Sequence, residues 1–320
     1  MKKFLVTGSQ GYIGQHMISW LMENDPGCAI TVIDNSKGSQ DWFNTVELTS
    51  YHDSKSFFET RFGDMIFDCV FHLASLADAN QGMTSPFSVM DNNIVSTMVL
   101  SRLIKNGVIK TKSIVFASTA SIDFYDIEEI MKPVAGVCPA YVTSKLINEQ
   151  ILNSLYIETG VPFVNLRYTN VAGRYGEMKE EHDPETHLIP KFMYRKFNDE
   201  FDVYNNGENI RDYVYVWDVC EANYKAYEKL RDGKPLGVLY VGSGQANTTL
   251  EVIDLCQKEL LSRNEKPVVL NFITKEETEN IRPADRQFES VLNMDEKLKH
   301  TEDMIGWKST KNIEYIISTM

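Results

Sequence analysis

Three glycines spaced by three, Gly8, Gly11 and Gly14, follow a short apolar run, Phe4 to Val6, at the start of a 320-residue chain. That arrangement makes a strand turn sharply into a helix. Gly8 supplies the tight turn, Gly11 lets another group approach the backbone, and Gly14 lets the helix sit close to the sheet. The N–H groups that open such a helix carry a partial positive charge, so the corner cradles an anion. A second apolar run, Ala29 to Ile33, ends in Asp34, twenty positions after Gly14. A carboxylate there accepts a hydrogen bond from an adenosine ribose 2′-hydroxyl, so the predicted ligand is a dinucleotide. NAD is favoured over NADP because a 2′-phosphate would meet a like charge; Lys37 blunts that preference without reversing it.

The first half of the chain continues the same rhythm. Strands are predicted at Phe4 to Val6, Ala29 to Ile33, Cys69 to Leu73, Ser113 to Ala117 and Pro162 to Leu166. Helices are predicted at Tyr12 to Met22, Ser54 to Arg61, Ser88 to Asn106 and Tyr141 to Thr159. This alternation is the pattern of an α/β fold with a doubly wound parallel (Rossmann) sheet. Loops richer in Gly, Asn, Asp and Glu follow, interrupted by Leu188 to Phe197, Tyr213 to Lys229, a strand at Val238 to Val241 and a helix at Thr249 to Leu261. The expected division is a dinucleotide-binding domain over 1–169 and a smaller C-terminal substrate domain over 170–320, with a segment near 210–230 packing back on the first.

Composition narrows the function. A net charge of −13 argues against a nucleic-acid surface, which needs clustered Lys and Arg. A small phosphorylated substrate is compatible with it, since one or two placed arginines suffice. The five cysteines, at 28, 69, 138, 220 and 256, form no Cys-x-x-Cys pair and fit a reducing compartment, so the cytoplasm is expected. His182 and His187 straddle Pro184, which breaks the helical face a metal site would use, and no metal is expected. No apolar run reaches the length of a membrane span.

Tyr141 and Lys145 stand at i and i+4 on one helix face, where a cation is expected to lower the phenol's pKa and prepare it to take a proton from an alcohol. Tyr51 with Lys55 and Tyr175 with Lys179 have the same spacing. Position favours Tyr141, which follows a strand ending in Ser118-Thr119, and ligands of open α/β sheets bind outside such strand ends.

With these residues in view the chain resembles the extended short-chain dehydrogenases/reductases, and within them it is similar to the UDP-glucose 4-epimerases and related nucleotide-sugar 4-epimerases. The resemblance runs through Thr7 to Gly14, Asp34-Asn35, His72-Leu73-Ala74, Asp91-Asn92-Asn93, Ser118-Thr119, Tyr141 to Lys145 and Leu166 to Gly173. It continues through His182 to Pro190, Arg211-Asp212-Tyr213, Val241 to Gly244 and Arg282-Pro283-Ala284-Asp285. It implies that Tyr141 is the proton-transferring group, with Lys145 its electrostatic partner and Thr119 a second hydroxyl. NAD is implied to lie against Gly8, Gly11, Tyr12, Ile13, Gly14, Asp34, Asn35, Leu73, Ala74, Asn92, Ser118, Tyr141, Lys145 and Tyr168. Asn170, His187, Leu188, Tyr204, Arg211, Arg282 and Asp285 are implied to hold the nucleotide of a UDP-sugar, and the protein to work as a homodimer.

Some positions depart from the pattern. Ala77 and Asp78 stand where many relatives have a lysine on the cofactor phosphate, the loop between Tyr204 and Arg211 is short, and Phe288-Glu289 alters the expected sugar pocket. Ala120-Ser121 replaces the Asp-Glu pair of a 4,6-dehydratase. A 4-ketoreductase using the same tyrosine and lysine, and a non-catalytic nucleotide sensor on the same fold, are the other readings.

Overall fold

The computed structural model describes residues 1–35, 44–45, 48–77, 85–124, 140–178, 185, 187–196, 200–281 and 294–320. Its centre is a seven-stranded parallel sheet of β1 (Lys3–Thr7), β2 (Ala29–Asp34), β3 (Asn44–Thr45), β4 (Cys69–His72), β5 (Ile114–Thr119), β6 (Phe163–Tyr168) and β7 (Gly237–Val241). Their order across the sheet is β7-β6-β5-β4-β1-β2-β3, with every neighbouring pair parallel. The helices relevant to the site are α1 (Tyr12–Asn24), α2 (Tyr51–Phe62), α3 (Pro86–Lys105), α4 (Ala140–Thr159), α5 (Val216–Leu230) and α6 (Met294–Ile305).

The strands are apolar at consecutive positions because both faces are covered. Phe4, Val6, Phe71 and Val115 pack on one face with Met17 and Leu21 of α1 and Val219, Ala222 and Ala226 of α5. Leu5, Val70, Ile114 and Phe116 pack on the other with Phe58 of α2, Leu100 and Leu103 of α3, and Leu152 and Leu155 of α4. This is the doubly wound arrangement expected. α1 stops at Asn24 because Asp25-Pro26-Gly27 cannot continue it.

The later part of the chain builds a smaller layer around Phe192, Phe201, Tyr213, Val252, Ile253 and Ile316. It also returns to the large sheet: α5 covers one face, β7 extends the edge beside β6, and α6 packs on β7. The stretch expected as one element from Tyr213 to Lys229 is two, a strand Ile210–Tyr215 and then α5. The aromatic and β-branched residues Tyr213, Val214 and Tyr215 favour the strand, and the helical apolar spacing begins only at Val216. The segment expected from Leu188 to Phe197 is a helix only over Leu188–Met193, and Arg195 takes φ +52°. Among the described residues no helix is long and apolar enough to cross a membrane.

Candidate active site

All strands of the sheet run the same way, so Gly8 after β1, Leu73 and Ala74 after β4, and Thr119 at the end of β5 open onto one edge. At that edge Gly8 and Gly14 are sterically required. Gly8 has φ +70°, and a Cβ on it would lie 2.6 Å from the Ala74 nitrogen. A Cβ on Gly14 would lie 2.0 Å from the Gly8 carbonyl oxygen, whereas one on Gly11 would meet only that oxygen, at 3.3 Å. Gly11 caps α1 without a side-chain hydrogen bond, and the first turn holds no acid. The backbone N–H groups of Tyr12, Ile13 and Gly14 therefore present positive charge to the cradle.

Asp34 accepts a hydrogen bond from the Gln10 backbone N–H at 2.8 Å, which ties the end of β2 to the glycine turn. The Gln10 side-chain Nε2 is buried with no acceptor. An orphaned amide donor costs free energy unless a ligand oxygen meets it, so a phosphate-rich ligand fits this corner better than none. Gln10 was not among the expected contacts, and no motif marks it. Tyr12 donates its hydroxyl to the Gly173 carbonyl, so toward the cradle it offers its backbone N–H. Ile13 packs partly against the sheet core, and Asn35 is exposed beside Asp34.

Behind the cradle runs a directional chain of hydrogen bonds. The Ala74 N–H donates to Thr7 Oγ1 at 3.2 Å, Thr7 Oγ1 lies 2.7 Å from His72 Nδ1, and His72 Nε2 lies 3.0 Å from Thr97 Oγ1. The Thr97 hydroxyl donates to the Asn93 carbonyl, so it accepts from a His72 Nε2–H, and Nδ1 accepts from Thr7. His72 is thus a neutral imidazole, and burial, helped by the charge of Lys145, draws its pKa down to about 3. Asn93 extends the chain to the Leu76 backbone and to Ser144 of α4. Its neighbour Asn92, the expected cofactor contact, is half-buried.

α4 carries the chemistry on an unusual face. Where Leu152 and Leu155 pack normally, the preceding two turns bury Ser144, Lys145, Asn148 and Glu149. Buried polar residues in such number need partners: Lys145 and Glu149 reach the end of β5, while Ser144 and Asn148 bond to Asn93 of α3. Tyr141 shares a side-chain hydrogen bond with Thr119, which favours the ionised phenol, yet burial dominates and pushes its pKa up to about 12. The expectation that Lys145 lowers the phenol's pKa is therefore corrected for the protein alone. Lys145 is itself 3% exposed, donates to the Ala117 carbonyl at 2.6 Å, and is drawn down to about 7 by burial, with Glu149 opposing. Its Nζ lies 5.7 Å from the Tyr141 ring centroid. The other two pairs have different surroundings: Tyr51 accepts from Asn106 while Lys55 pairs with Glu59, and Tyr175 stacks on Trp217.

Strand alternation separates the two hydroxyls. Thr119 faces Tyr141, but Ser118 is buried and its hydroxyl is committed, donating to Glu149 at 2.6 Å. The Tyr168 hydroxyl is likewise committed, donating to Asn223 at 2.8 Å.

On the smaller layer, Arg211 lies on the strand Ile210–Tyr215 between Asn170–Ala172 and Ala246–Thr248. Tyr213 pairs with Asn170, so Arg211 and Asn170 share a face of that sheet, while Asp212 faces away and accepts from Ser243 and Gly244. Asn170 donates to the Asp212 carbonyl at 3.1 Å. His187 caps the helix that Leu188 opens, its ring 3.5 Å from the buried Glu185 carboxylate. Tyr204 begins a short helical turn whose next residue, Asn205, is held by Thr278. Arg282 and Asp285 lie outside the described residues, as do Lys37, Asp78, Phe288 and Glu289.

Against known proteins, the profile of the NAD dependent epimerase/dehydratase family matches residues 4–242. The UDP-glucose 4-epimerase of Halalkalibacterium halodurans is 31% identical over 79% of this chain and 79% of its own length. That of Lacticaseibacillus casei is 28% identical over 98% of this chain and 94% of its own. The fold is shared with a UDP-glucose 4-epimerase from Brucella ovis solved in complex with NAD, at TM-score 0.80 and 24% identity over 100% of this chain and 97% of the other.

Proposed function

Because the chain belongs to the NAD dependent epimerase/dehydratase family, we propose that it is a cytoplasmic enzyme that interconverts the C4 epimers of a UDP-hexose, of the UDP-glucose/UDP-galactose type, using bound NAD. The observation that carries this reading is the hydrogen-bonded Thr119–Tyr141 pair with Lys145 beside it, at the same sheet edge as the glycine cradle.

The large sheet with α1 is the NAD side and the smaller layer the nucleotide-sugar side. The first turn of α1 and the Gln10 amide hold the pyrophosphate, and Asp34 and Asn35 take the adenosine ribose. Leu73, Ala74, Asn92, Ser118 and Tyr168 line the rest of the cofactor's groove. When bound, NAD supplies a hydride acceptor and donor at sugar C4 and a positive charge near the phenol. Tyr141 takes the proton of the 4-hydroxyl and returns it after the 4-keto sugar has presented its other face. Thr119 holds the same oxygen, and Lys145 steadies the phenolate. Asn170, His187, Leu188, Tyr204 and Arg211, with Arg282 and Asp285, hold the UDP moiety, an arginine fork matching diphosphate oxygens.

The geometry favours epimerisation over 4,6-elimination, which needs a carboxyl group free to serve the 6-hydroxyl. Ala120 and Ser121 follow Thr119, and the carboxylates flanking that strand end, Asp123 and Glu149, are both bound by Arg167. Purified protein given UDP-glucose or UDP-galactose without added cofactor is expected to reach the same mixture from either side. A 4-keto-6-deoxy product would mark a dehydratase, turnover only with added reduced cofactor a ketoreductase, and binding without turnover a sensor.

The working form is a homodimer joined through α3 and α4, whose outward surfaces carry Met98 and Ile147. Sedimentation equilibrium is expected to give twice the chain mass of 36.6 kDa, and a monomer mass excludes the pairing.

A further inference from the structure

Beneath the Thr119–Tyr141 pair lies a second set of charges that the mechanism does not use. Glu149, one turn beyond Lys145 on α4, has a side chain 4% exposed and accepts from the Ser118 hydroxyl at 2.6 Å. Arg167 of β6 stands beside Ser118 in the strand register and grips Glu149 with both arms of its fork, Nε at 2.9 Å and Nη2 at 2.8 Å. Its remaining arm, Nη1, reaches Asp123 at 2.5 Å and the Tyr240 hydroxyl of β7 at 3.0 Å. Tyr240 in turn donates to Asp123 at 2.6 Å, and Lys297 of α6 also donates to Asp123. Thr119 is therefore bracketed. The residue before it is held through Glu149, and the short helical turn after it, Ala120–Phe124, is held through Asp123.

We propose that Glu149 and Arg167 are a positioning pair that fixes the end of β5 so that Thr119 stays within hydrogen-bond reach of Tyr141. Neither residue touches the reacting atoms. A bidentate guanidinium–carboxylate pair fixes the relative orientation of two groups as a single contact does not, and here it joins the helix bearing Tyr141 to the strand next to Thr119. The proposal rests on the epimerase reading for its kinetic consequence, but its geometric consequence stands without it.

A buried ion pair also contributes to folding, and that role has to be separated from positioning. Removing one partner leaves an uncompensated charge, whereas replacing both by apolar residues of similar volume is often neutral for stability. The test compares Glu149→Gln, Arg167→Met and the double variant Glu149→Met/Arg167→Met by Tm, by kcat and KM on a UDP-hexose, and by crystal structure. Both single variants are expected to lose stability and to lose kcat on the order of 10²-fold, the effect of small misplacements of reacting groups, with KM little changed. The double variant is expected to regain Tm while kcat stays low, with Thr119 and Tyr141 beyond hydrogen-bond distance in its structure. Recovery of kcat along with Tm, or an intact Thr119–Tyr141 bond in the double variant, overturns the proposal. Where the single variants do not fold, Tyr240→Phe removes one hydroxyl from Asp123 and keeps every charge. It is expected to lower kcat several-fold at unchanged Tm, and unchanged kcat counts against the pair. Wild-type protein without turnover refutes the epimerase reading alone, since the structural comparison still judges the positioning.

Discussion

Tyr141→Phe is expected to reduce turnover by about 10²–10⁴-fold, the range that positioned proton transfer contributes, while UDP and cofactor remain bound. The substitution removes one oxygen from a residue whose ring stays in place, so the fold has little reason to change. The size of the loss follows from the surroundings of that oxygen. Burial holds the phenol at about 12 in the protein alone, and the one group drawing it down there is the Thr119 hydroxyl. Lys145 is itself drawn down by burial, with Glu149 opposing. Bound cofactor would add positive charge that favours the phenolate, and two neighbouring hydroxyls are committed elsewhere, Ser118 to Glu149 and Tyr168 to Asn223. Thr119→Val should fall less far, because it removes a supporting bond and leaves the proton carrier. Turnover of Tyr141→Phe close to wild type would remove Tyr141 from the mechanism.

The second large effect is expected at Gly14. A methyl group there would come within 2.0 Å of the Gly8 carbonyl oxygen and 2.9 Å of its carbon, both backbone atoms that no side-chain rotation relieves. Gly14→Ala must therefore push α1 away from β1, at the roughly 1–3 kcal/mol typical of overpacking. It also displaces the N–H groups that face the pyrophosphate, so the protein should purify without its cofactor and show a lowered Tm. Gly11→Ala is the informative contrast. Its methyl meets only the Gly8 oxygen, at 3.3 Å, and a shift of a few tenths of an ångström accommodates it. That variant should keep a Tm near wild type and still bind cofactor weakly, since its methyl occupies the ligand's approach. Equal behaviour of the two variants in both measurements would contradict these separate roles.

The parts of the site legible in the sequence are local ones. Gly8 to Gly14, Asp34, and the Tyr141 and Lys145 spacing lie within single corners or single helices, where backbone geometry translates directly into residue type. Five strands of the large sheet are legible for the same reason, since strands covered on both faces read as continuous apolar runs, whereas β3 is too short to read and β7, expected in the smaller domain, joins the sheet only through a distant return of the chain. What was hidden depends on contacts distant in sequence. With β5 predicted to end at Ala117, only the family resemblance separates Thr119 from Ser118; the strand in fact runs to Thr119, and its period of two sends one hydroxyl to Glu149 and the other to Tyr141. The partnership of Glu149 with Arg167 joins α4 to β6, and only its place at i+8 from Tyr141 hints at it. Whether Lys145 lowers the phenol's pKa is a balance between charge and burial, and burial is a property of the packed molecule. Gln10 has no signature at all, because its significance lies in an acceptor it lacks.

The central claim is that this one site takes a hydride from sugar C4 and gives it back without exchange of cofactor. UDP-glucose carrying deuterium at C4, incubated with the purified protein and no added cofactor, tests it most directly by NMR of the products. The account predicts UDP-galactose with deuterium still at C4. Release of the label to water, or product formed only when reduced cofactor is added, would contradict it.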